Sequence, residues 1–273
     1  MTDRDRPIPA RGRNLPPEPA DGVVYAVGDI HGCYGLLVDL LGRIVADVNR
    51  TAGRRDDLLI FLGDYVDRGP ASSAVLNALI WIERNAPLRT LFLMGNHERV
   101  MLDYLDDPVV HERWLAFGGD ATIRSYGVDV PEDPAEIDPA ELRDRFADRL
   151  PASHVDFLRR LQLFHETDDF IFAHAGIEPG VPMARQVPED LLWIRQGFLE
   201  ERPAGRKRVV HGHTWTSNKP AVMAHRIGVD TGAYRTGVLT AARLHGTDVG
   251  FISTAEQPEQ GSEMPNPNTA AAD

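Results

Sequence analysis

The sequence has very little cysteine and no long hydrophobic run. Its single cysteine, Cys33, cannot form an internal disulfide, which excludes a disulfide-stabilised secreted scaffold. No apolar run approaches the roughly 18 residues that a membrane-spanning helix requires. Residues 1–21 alternate arginine, aspartate and proline without an apolar core, so no secretory signal is expected there. We therefore expect a cytoplasmic protein with no membrane partner.

Positive charge is also scarce. Lysine and arginine total 29 residues against 41 aspartates and glutamates, so the formal net charge is −12. Phosphate groups repel such a surface outside any local basic patch, and a nucleic-acid partner is therefore not expected. Hydrophobic residues nevertheless make up 42% of the 273 residues, which is enough to build a large buried core.

Apolar runs typical of buried strands are spread along the chain and differ in what separates them. Three early runs are separated by segments in which apolar residues have helical spacing: 23–27, 58–62 and 90–94. This β-α-β-α-β order predicts a sheet with helical crossovers. Five later runs follow: 170–173, 208–210, 221–224, 237–243 and 249–253. The last four lie close together without a long helix between them, so we expect them to form an antiparallel second sheet.

The two ends of the chain differ in composition from its middle. Residues 1–21 and 255–273 are rich in proline and polar groups and have few large apolar side chains. Such segments bury too little surface to offset their ordering entropy, which predicts disordered tails on either side of one domain over residues 22–254. Within that domain, the charged region at about 106–163 is broken by prolines, and we expect a mostly helical insertion over one end of the sheet.

Glycine-bearing polar loops follow the predicted strands. They read GDIHG from Gly28, GDYVDRG from Gly63 and GNHE from Gly95, with HAG from His174 and HGHT from His211 later in the chain. The carboxyl ends of strands in α/β sheets converge, so we expect these loops to meet in one crevice. Any one of them alone is typical of an ordinary turn. The ordered occurrence of all five is not explained by turn preference.

Six side chains in these loops form a set of oxygen and nitrogen ligands without sulfur. They are Asp29, His31, Asp64, Asn96, His174 and His213. This chemistry suits Mn²⁺, Fe, Zn²⁺ or Mg²⁺. Six ligands are too many for one catalytic metal with an open position, so the sequence predicts two divalent cations that share one carboxylate.

In this order the motifs resemble those of the phosphoprotein phosphatases, a family of the calcineurin-like metallophosphoesterase superfamily. The resemblance extends over about 23–253, and three segments are similar to its bacterial and phage branch: GGDATIRSYG at 118–127, LLWIR at 191–195 and VDTGAY at 229–234. It implies an α/β fold of two packed mixed β-sheets flanked by helices, a four-layer αββα sandwich. The longer C-terminal region of the eukaryotic members is not visible, so no regulatory subunit is expected.

The resemblance also implies a role for each site residue. The metal ligands would fall into three groups: Asp29 and His31 on the first cation, Asp64 bridging both, and Asn96, His174 and His213 on the second. Four further residues would act on the substrate: the phosphate-binding Arg68 and Arg195, and the catalytic His97 with its partner Asp67.

The expected activity is dimetal-dependent phosphomonoester hydrolysis, with Mn²⁺ as the expected metal. Two adjacent cations can activate a shared water near neutral pH, and that hydroxide would attack phosphorus in line. We expect a protein serine/threonine phosphatase, and the alternative is a symmetrical diadenosine tetraphosphate hydrolase, because that bacterial group has the same motifs. The partner is therefore a phosphoprotein or a small phosphorylated substrate. A non-catalytic relative would be expected to have lost ligands, and all are present.

Overall fold

The computed structural model describes residues 22–50, 56–133, 136–200 and 206–255. Apart from Ala255, the predicted tails lie outside these ranges, and the predicted bounds of the domain remain proposals. Along the described ranges, no helix combines the length and the apolar composition that are needed to cross a bilayer.

The described part of the chain contains ten strands and eight α-helices. The strands are β1 Val24–Val27, β2 Leu58–Phe61, β3 Arg89–Phe92, β4 Phe164–Glu166, β5 Phe170–Ala173, β6 Arg208–His211, β7 Ala221–Val222, β8 Arg226–Gly228, β9 Thr240–His245 and β10 Asp248–Ser253. The helices are α1 Tyr34–Arg50, α2 Ser72–Asn85, α3 Asn96–Asp106, α4 Gly119–Ser125, α5 Pro139–Arg149, α6 Ala152–Arg159, α7 Pro188–Trp193 and α8 Ala233–Thr236. A 3₁₀ helix, Glu112–Phe117, lies between α3 and α4.

The first sheet has the strand order β10-β9-β1-β2-β3, and β1, β2 and β3 are parallel. One face packs against the helices, which contribute Leu40 of α1 and Leu79 of α2 to the largest apolar cluster. The other face packs against the second sheet, where Ile60 lies in the same cluster as Phe172 and Val210. Burial on both faces explains why these strands are continuous apolar runs.

The second sheet has the order β4-β5-β6-β8-β7, in which β5, β6 and β8 are parallel. Its outer face is covered by α7 and the following loop, through Leu191 and Phe198. The layers are therefore helix, sheet, sheet and helix, which confirms the predicted αββα sandwich.

The predicted membership of the second sheet is wrong. Of the four late runs, only those that form β6 and β7 lie there, and β8, which was not predicted, pairs with both. β9 and β10 form a hairpin that pairs antiparallel with β1 in the first sheet. The reason is burial: Ala241 faces the helical layer while Ala242 and Leu244 face the second sheet, as in a central strand.

The region at about 106–163 contains the 3₁₀ helix and helices α4, α5 and α6. Trp114, Ile123, Phe146 and Phe157 bury their side chains in the largest apolar cluster. This region therefore extends the helical layer of the first sheet, next to the loop that follows β2, where Arg68 N donates to Gly118 O at 3.1 Å.

Candidate metal centre

Backbone strain marks the loops at the carboxyl ends of the strands. Among the described residues, five other than glycine have a left-handed φ, and all five are in the predicted motifs: His31 (45°), Asp64 (52°), Asp67 (73°), Arg68 (67°) and His213 (60°). Such conformations cost about 1–3 kcal/mol each and persist only where the surrounding structure holds them. Their concentration here indicates a functional site rather than a set of ordinary turns.

Asp64 lies at the centre of the site. Its Oδ1 is 3.4 Å from His174 Nε2, whereas its Oδ2 is 3.5 Å from His31 Nε2 and 4.0 Å from His97 Nε2. Asp64 as a whole residue is 1% exposed. Its two oxygens therefore face two different groups of histidines, which is the arrangement expected of a carboxylate shared by two cations.

The group on the Oδ1 side contains an amide and two imidazoles. Asn96 Oδ1 is 2.9 Å from His174 Nε2 and 3.0 Å from His213 Nδ1. His174 Nδ1 donates to Leu62 O at 3.0 Å, which leaves Nε2 with a lone pair. Burial lowers the pKa of His213 to about 3, so its ring is neutral and able to ligate. The ligand atoms of Asp64, His174 and His213 lie within 4.8 Å of one another.

The group on the Oδ2 side contains His31, Asp64 and His97, whose ligand atoms also lie within 4.8 Å of one another. His31 Nδ1 donates to Val66 O at 2.9 Å, so Nε2 carries the ring's lone pair, and burial lowers the pKa of His31 to about 3. The geometry thus places His97 with these two residues, where the resemblance implies Asp29. Asp29 as a ligand of the first cation remains a prediction.

Asp29 supplies a test of whether the site suits a cation. Its Oδ2 accepts from His213 N at 2.9 Å, while its Oδ1 is buried and has no partner within the described residues. An unpartnered carboxylate oxygen in the interior is costly. Together with the sulfur-free donor set, this orphan oxygen fits a hard or borderline divalent cation.

His97 is held by a buried carboxylate. Its Nδ1 lies 2.5 Å from Asp67 Oδ2, which also accepts from Trp114 Nε1 at 2.7 Å, and Thr122 Oγ1 donates to Asp67 Oδ1 at 2.6 Å. Burial opposes protonation of His97, but the charges of Asp64 and Asp67 outweigh it and raise its pKa. The ring is therefore both oriented and biased toward the protonated form.

The two predicted phosphate-binding arginines lie on different histidine groups. Arg68 donates from Nη1 to His31 Nε2 at 2.9 Å and from Nη2 to His97 Nε2 at 3.0 Å. Arg195 Nε donates to His213 Nε2 at 3.1 Å. Both side chains are exposed. All ten predicted site residues thus belong to one network of contacts, with an arginine at the surface on either side.

Glu98 is a residue of the site to which the sequence assigned no role. Its Oε2 accepts from Gly95 N at 2.9 Å and Asp64 N at 2.8 Å, and its Oε1 accepts from Tyr65 N at 2.7 Å and Val66 N at 3.2 Å. This buried carboxylate fixes the loop after β2 against the loop after β3. The position of Glu98 in the GNHE motif could have indicated a role in the site. Its hydrogen-bond partners are backbone N–H groups, however, and these do not depend on residue type, so the sequence shows no pattern that reveals them.

Tyr234 and Asp230 were also missed, although both lie in the VDTGAY segment. The Tyr234 ring centroid is 4.7 Å from Arg68 Cζ, and the ring is edge-on to His31 at 5.3 Å. The cation–π geometry helps to hold the Arg68 guanidinium in place. Asp230 is buried beside Asp29.

Comparison with known proteins identifies the family. A family model described as calcineurin-like phosphoesterase matches residues 22–231. The chain belongs to this family. Serine/threonine-protein phosphatase 1 of Salmonella typhimurium is 31% identical to this calcineurin-like phosphoesterase over 228 residues, covering 81% of the chain and 91% of the relative. The resemblance to phosphoprotein phosphatases is therefore confirmed, and the chain is a phosphatase-type hydrolase.

Other relatives of this phosphoesterase have nucleotide substrates in their names. An asymmetrical bis(5'-nucleosyl)-tetraphosphatase of Halalkalibacterium halodurans is 24% identical over 245 residues, with 83% of this chain and 91% of the relative covered. A symmetrical one of Nitrosomonas europaea is 30% identical over 155 residues, with 57% and 45% covered.

Solved structures support the fold of this phosphoesterase. A structure provisionally assigned as a diadenosine tetraphosphatase has a TM-score of 0.59 at 22% identity and covers 86% of this chain and 95% of its own. A cold-active protein-tyrosine phosphatase of Shewanella has a TM-score of 0.53 at 16% identity, with coverages of 87% and 82%. The family implies a dinuclear metal centre, for which the two histidine groups are the candidate positions.

Proposed function

We propose that this chain is a dimetal-dependent phosphomonoesterase that acts on phosphoserine and phosphothreonine in proteins. The observation that carries the dimetal assignment is Asp64, whose two oxygens face separate histidine groups at 3.4 and 3.5 Å. The substrate class is supported by the Salmonella serine/threonine phosphatase, which aligns with 81% of this chain.

The proposed cation ligands are those predicted from the motifs. They are Asp29 and His31 for the first cation, Asp64 for both, and Asn96, His174 and His213 for the second. When bound, a pair of divalent cations supplies a hydroxide nucleophile and neutralises charge on the phosphoryl group. Mn²⁺ as the metal that supports activity and a cytoplasmic location remain predictions from composition and ligand chemistry.

Arg68 and Arg195 bind the phosphoryl group in this proposal. A guanidinium presents paired N–H donors that match the spacing of phosphate oxygens, and it stays charged at any physiological pH. The two groups reach the site from the His31 side and the His213 side, respectively. They therefore hold the anion from two directions and keep its phosphorus over the centre of the site.

His97 donates a proton to the departing oxygen. Asp67 fixes its Nδ1 at 2.5 Å, so Nε2 points into the pocket beside Asp64. Once the phosphoryl group draws Arg68 toward its own oxygens, Nε2 is free to carry the proton that leaves with the alcohol. A positioned general acid of this kind contributes about 10²- to 10⁴-fold to the rate.

The deciding experiment compares two substrates on the purified protein with Mn²⁺. We expect a phosphothreonine peptide to be hydrolysed with a higher kcat/KM than diadenosine tetraphosphate. A protein carrying His97→Asn serves as the control for contaminating phosphatases. A strong preference for the nucleotide would overturn the substrate assignment, and failure on both would overturn the enzymatic one.

The second candidate is dinucleoside tetraphosphate hydrolysis, which is supported by the Halalkalibacterium relative that aligns over 83% of this chain. The symmetrical relative of Nitrosomonas is covered over only 45% of its own length. Product analysis distinguishes the two classes, because symmetrical cleavage of diadenosine tetraphosphate gives two ADP whereas asymmetrical cleavage gives ATP and AMP.

A further inference from the structure

The loop that follows β8 lies directly against the loop that carries Asp29. A Cβ placed on Gly28 would be 2.5 Å from Val229 O and 3.3 Å from Asp230 N, so the two loops touch through their backbones. Both acidic side chains are buried, Asp29 at 2% and Asp230 at 5% exposure. The fold therefore brings a further carboxylate to the cation ligands predicted at this edge of the sheets.

The charge of this pair is not balanced by the surrounding side chains. Asp29 Oδ1 has no partner among the described residues. The Arg68 guanidinium, which lies on the same side of the site, donates its hydrogen bonds to His31 and His97. Two adjacent buried carboxylates need positive charge to be stable in their ionised forms. A bound cation is the natural source.

The backbone hydrogen bond of Asp230 does not itself require a charge. Its Oδ1 accepts from Gly232 N at 2.8 Å, a hydrogen bond that an asparagine could make equally well. The same loop is also fixed by Thr231 Oγ1, which donates to Val238 O at 2.7 Å. Replacing Asp230 by asparagine therefore removes the charge while it keeps the turn.

We propose that Asp230 is a positioning residue of the first cation pocket, where its negative charge beside Asp29 raises the affinity for a divalent cation. This inference rests on the proposed dimetal site. It assigns to the VDTGAY segment an electrostatic role in cation binding, with Asp29 as the ligand through which Asp230 acts.

The test is isothermal titration of the metal-free protein with Mn²⁺. Asp230→Asn should weaken one of the two sites by about tenfold or more, equivalent to about 1.4 kcal/mol, and leave the other within about threefold of the unaltered protein. The matched control is Asp57→Asn. Asp57 is also buried, at 1% exposure; its Oδ1 accepts from Val23 N at 2.8 Å, and its Oδ2 has no partner in the described residues. It lies at the amino ends of β1 and β2, away from the site at their carboxyl ends.

Thermal unfolding separates a charge effect from a structural one. Because Asp230→Asn relieves repulsion with Asp29, the Tm of the metal-free variant should equal or exceed that of the unaltered protein, while the rise in Tm on adding Mn²⁺ should be smaller. A lower metal-free Tm with unchanged Mn²⁺ affinity would overturn the inference. If the unaltered protein binds no divalent cation, the proposed dimetal function itself fails, whereas two normal sites in Asp230→Asn refute only the role of Asp230.

Discussion

The two sheets contribute differently to the site. The loops after β1 and β2 and the start of α3, all at the edge of the first sheet, supply seven site residues: Asp29, His31, Asp64, Asp67, Arg68, Asn96 and His97. The second sheet supplies His174, Arg195 and His213. The first-sheet loops are fastened to one another by backbone hydrogen bonds, including His31 N to Asp64 O at 2.8 Å and Gly69 N to His31 O at 3.0 Å. Four of the five strained residues also belong to these loops.

Within the described residues, fewer backbone hydrogen bonds join the loops of the second sheet to one another. Gly212 N donates to His174 O at 2.8 Å, and His213 N donates to Asp29 Oδ2 at 2.9 Å, while the Arg195 guanidinium is held at the site by the hydrogen bond that its Nε donates to His213. We infer from this difference that the two sheets have different roles in the site. In the proposed function, the first sheet would fix the geometry of the chemistry in advance, whereas the second would complete a cation pocket and add Arg195 to Arg68 in binding the phosphoryl group.

The largest effect should come from Asp64→Asn, which removes the charge shared by both histidine groups. We expect hydrolysis to fall below detection and both cations to bind more weakly, because an amide NH2 replaces one of the two facing oxygens and the oxygen that remains loses its negative charge. Metal content by mass spectrometry and an assay with the phosphothreonine peptide measure the two effects. Asp57→Asn is the matched buried control, and full retention of either cation in Asp64→Asn would contradict a bridging role.

His97→Asn should leave cation binding intact and lower kcat by about 10²- to 10⁴-fold. That loss corresponds to about 2.7–5.5 kcal/mol in the barrier. The general acid acts only as the leaving oxygen departs, so KM should change little. His154→Asn is the control, since His154 is buried among Tyr126 and Asn77 and should affect stability alone. A His97→Asn protein with full turnover would remove His97 from the mechanism.

Glu98→Gln tests whether the first sheet holds its loops in advance of any ligand. In the unaltered protein, each oxygen of Glu98 accepts from two backbone N–H groups. In the glutamine variant the side-chain NH2 would face two of these donors and leave them without an acceptor. The free energy of unfolding of the metal-free protein should therefore fall by about 2–4 kcal/mol. Urea unfolding measures it. Glu166→Gln, in an exposed pair with Lys207 at 3.5 Å, should change stability by less than about 1 kcal/mol. Equal stability of both variants would show that the loops after β2 and β3 do not depend on Glu98 for their position.

The sequence was sufficient to predict that the candidate ligands would lie close together, and insufficient to predict the side chains that support them. Asp29, Asp64 and Asn96 each follow an apolar strand and a glycine, and parallel strands bring such positions to one edge. Thr122, by contrast, is 55 residues from the Asp67 carboxylate that it contacts, and no periodicity links the two. Hydrogen bonds of this kind depend on the packing of α4, which becomes visible only in three dimensions.

The order of the strands in the two sheets was the other feature that the sequence did not predict. β7 to β10 follow closely in the chain, and proximity favoured one antiparallel sheet, yet β9 crosses to the first sheet and inserts between β10 and β1. The deciding property is that Ala241 and Ala242 are buried on opposite faces. Two adjacent alanines in a short run are compatible with either arrangement, so the local sequence did not distinguish an edge hairpin from a central strand.

Arg195→Lys should have the smallest of the predicted effects. It also tests most directly whether the first-sheet and second-sheet residues of the site have different roles. A lysine keeps the charge but loses the paired donors, so KM for the phosphothreonine peptide should rise about tenfold, in line with the loss of one hydrogen bond to a charged group. Arg195 is exposed and does not belong to the hydrogen-bonded loops of the first sheet. The stability of the metal-free variant and the number of cations that it binds should therefore equal those of the unaltered protein. Arg99→Lys, in an exposed pair with Asp103 at 3.0 Å, is the control. A fall in kcat with unchanged KM would instead place Arg195 in the chemical step and erase the proposed division between the sheets.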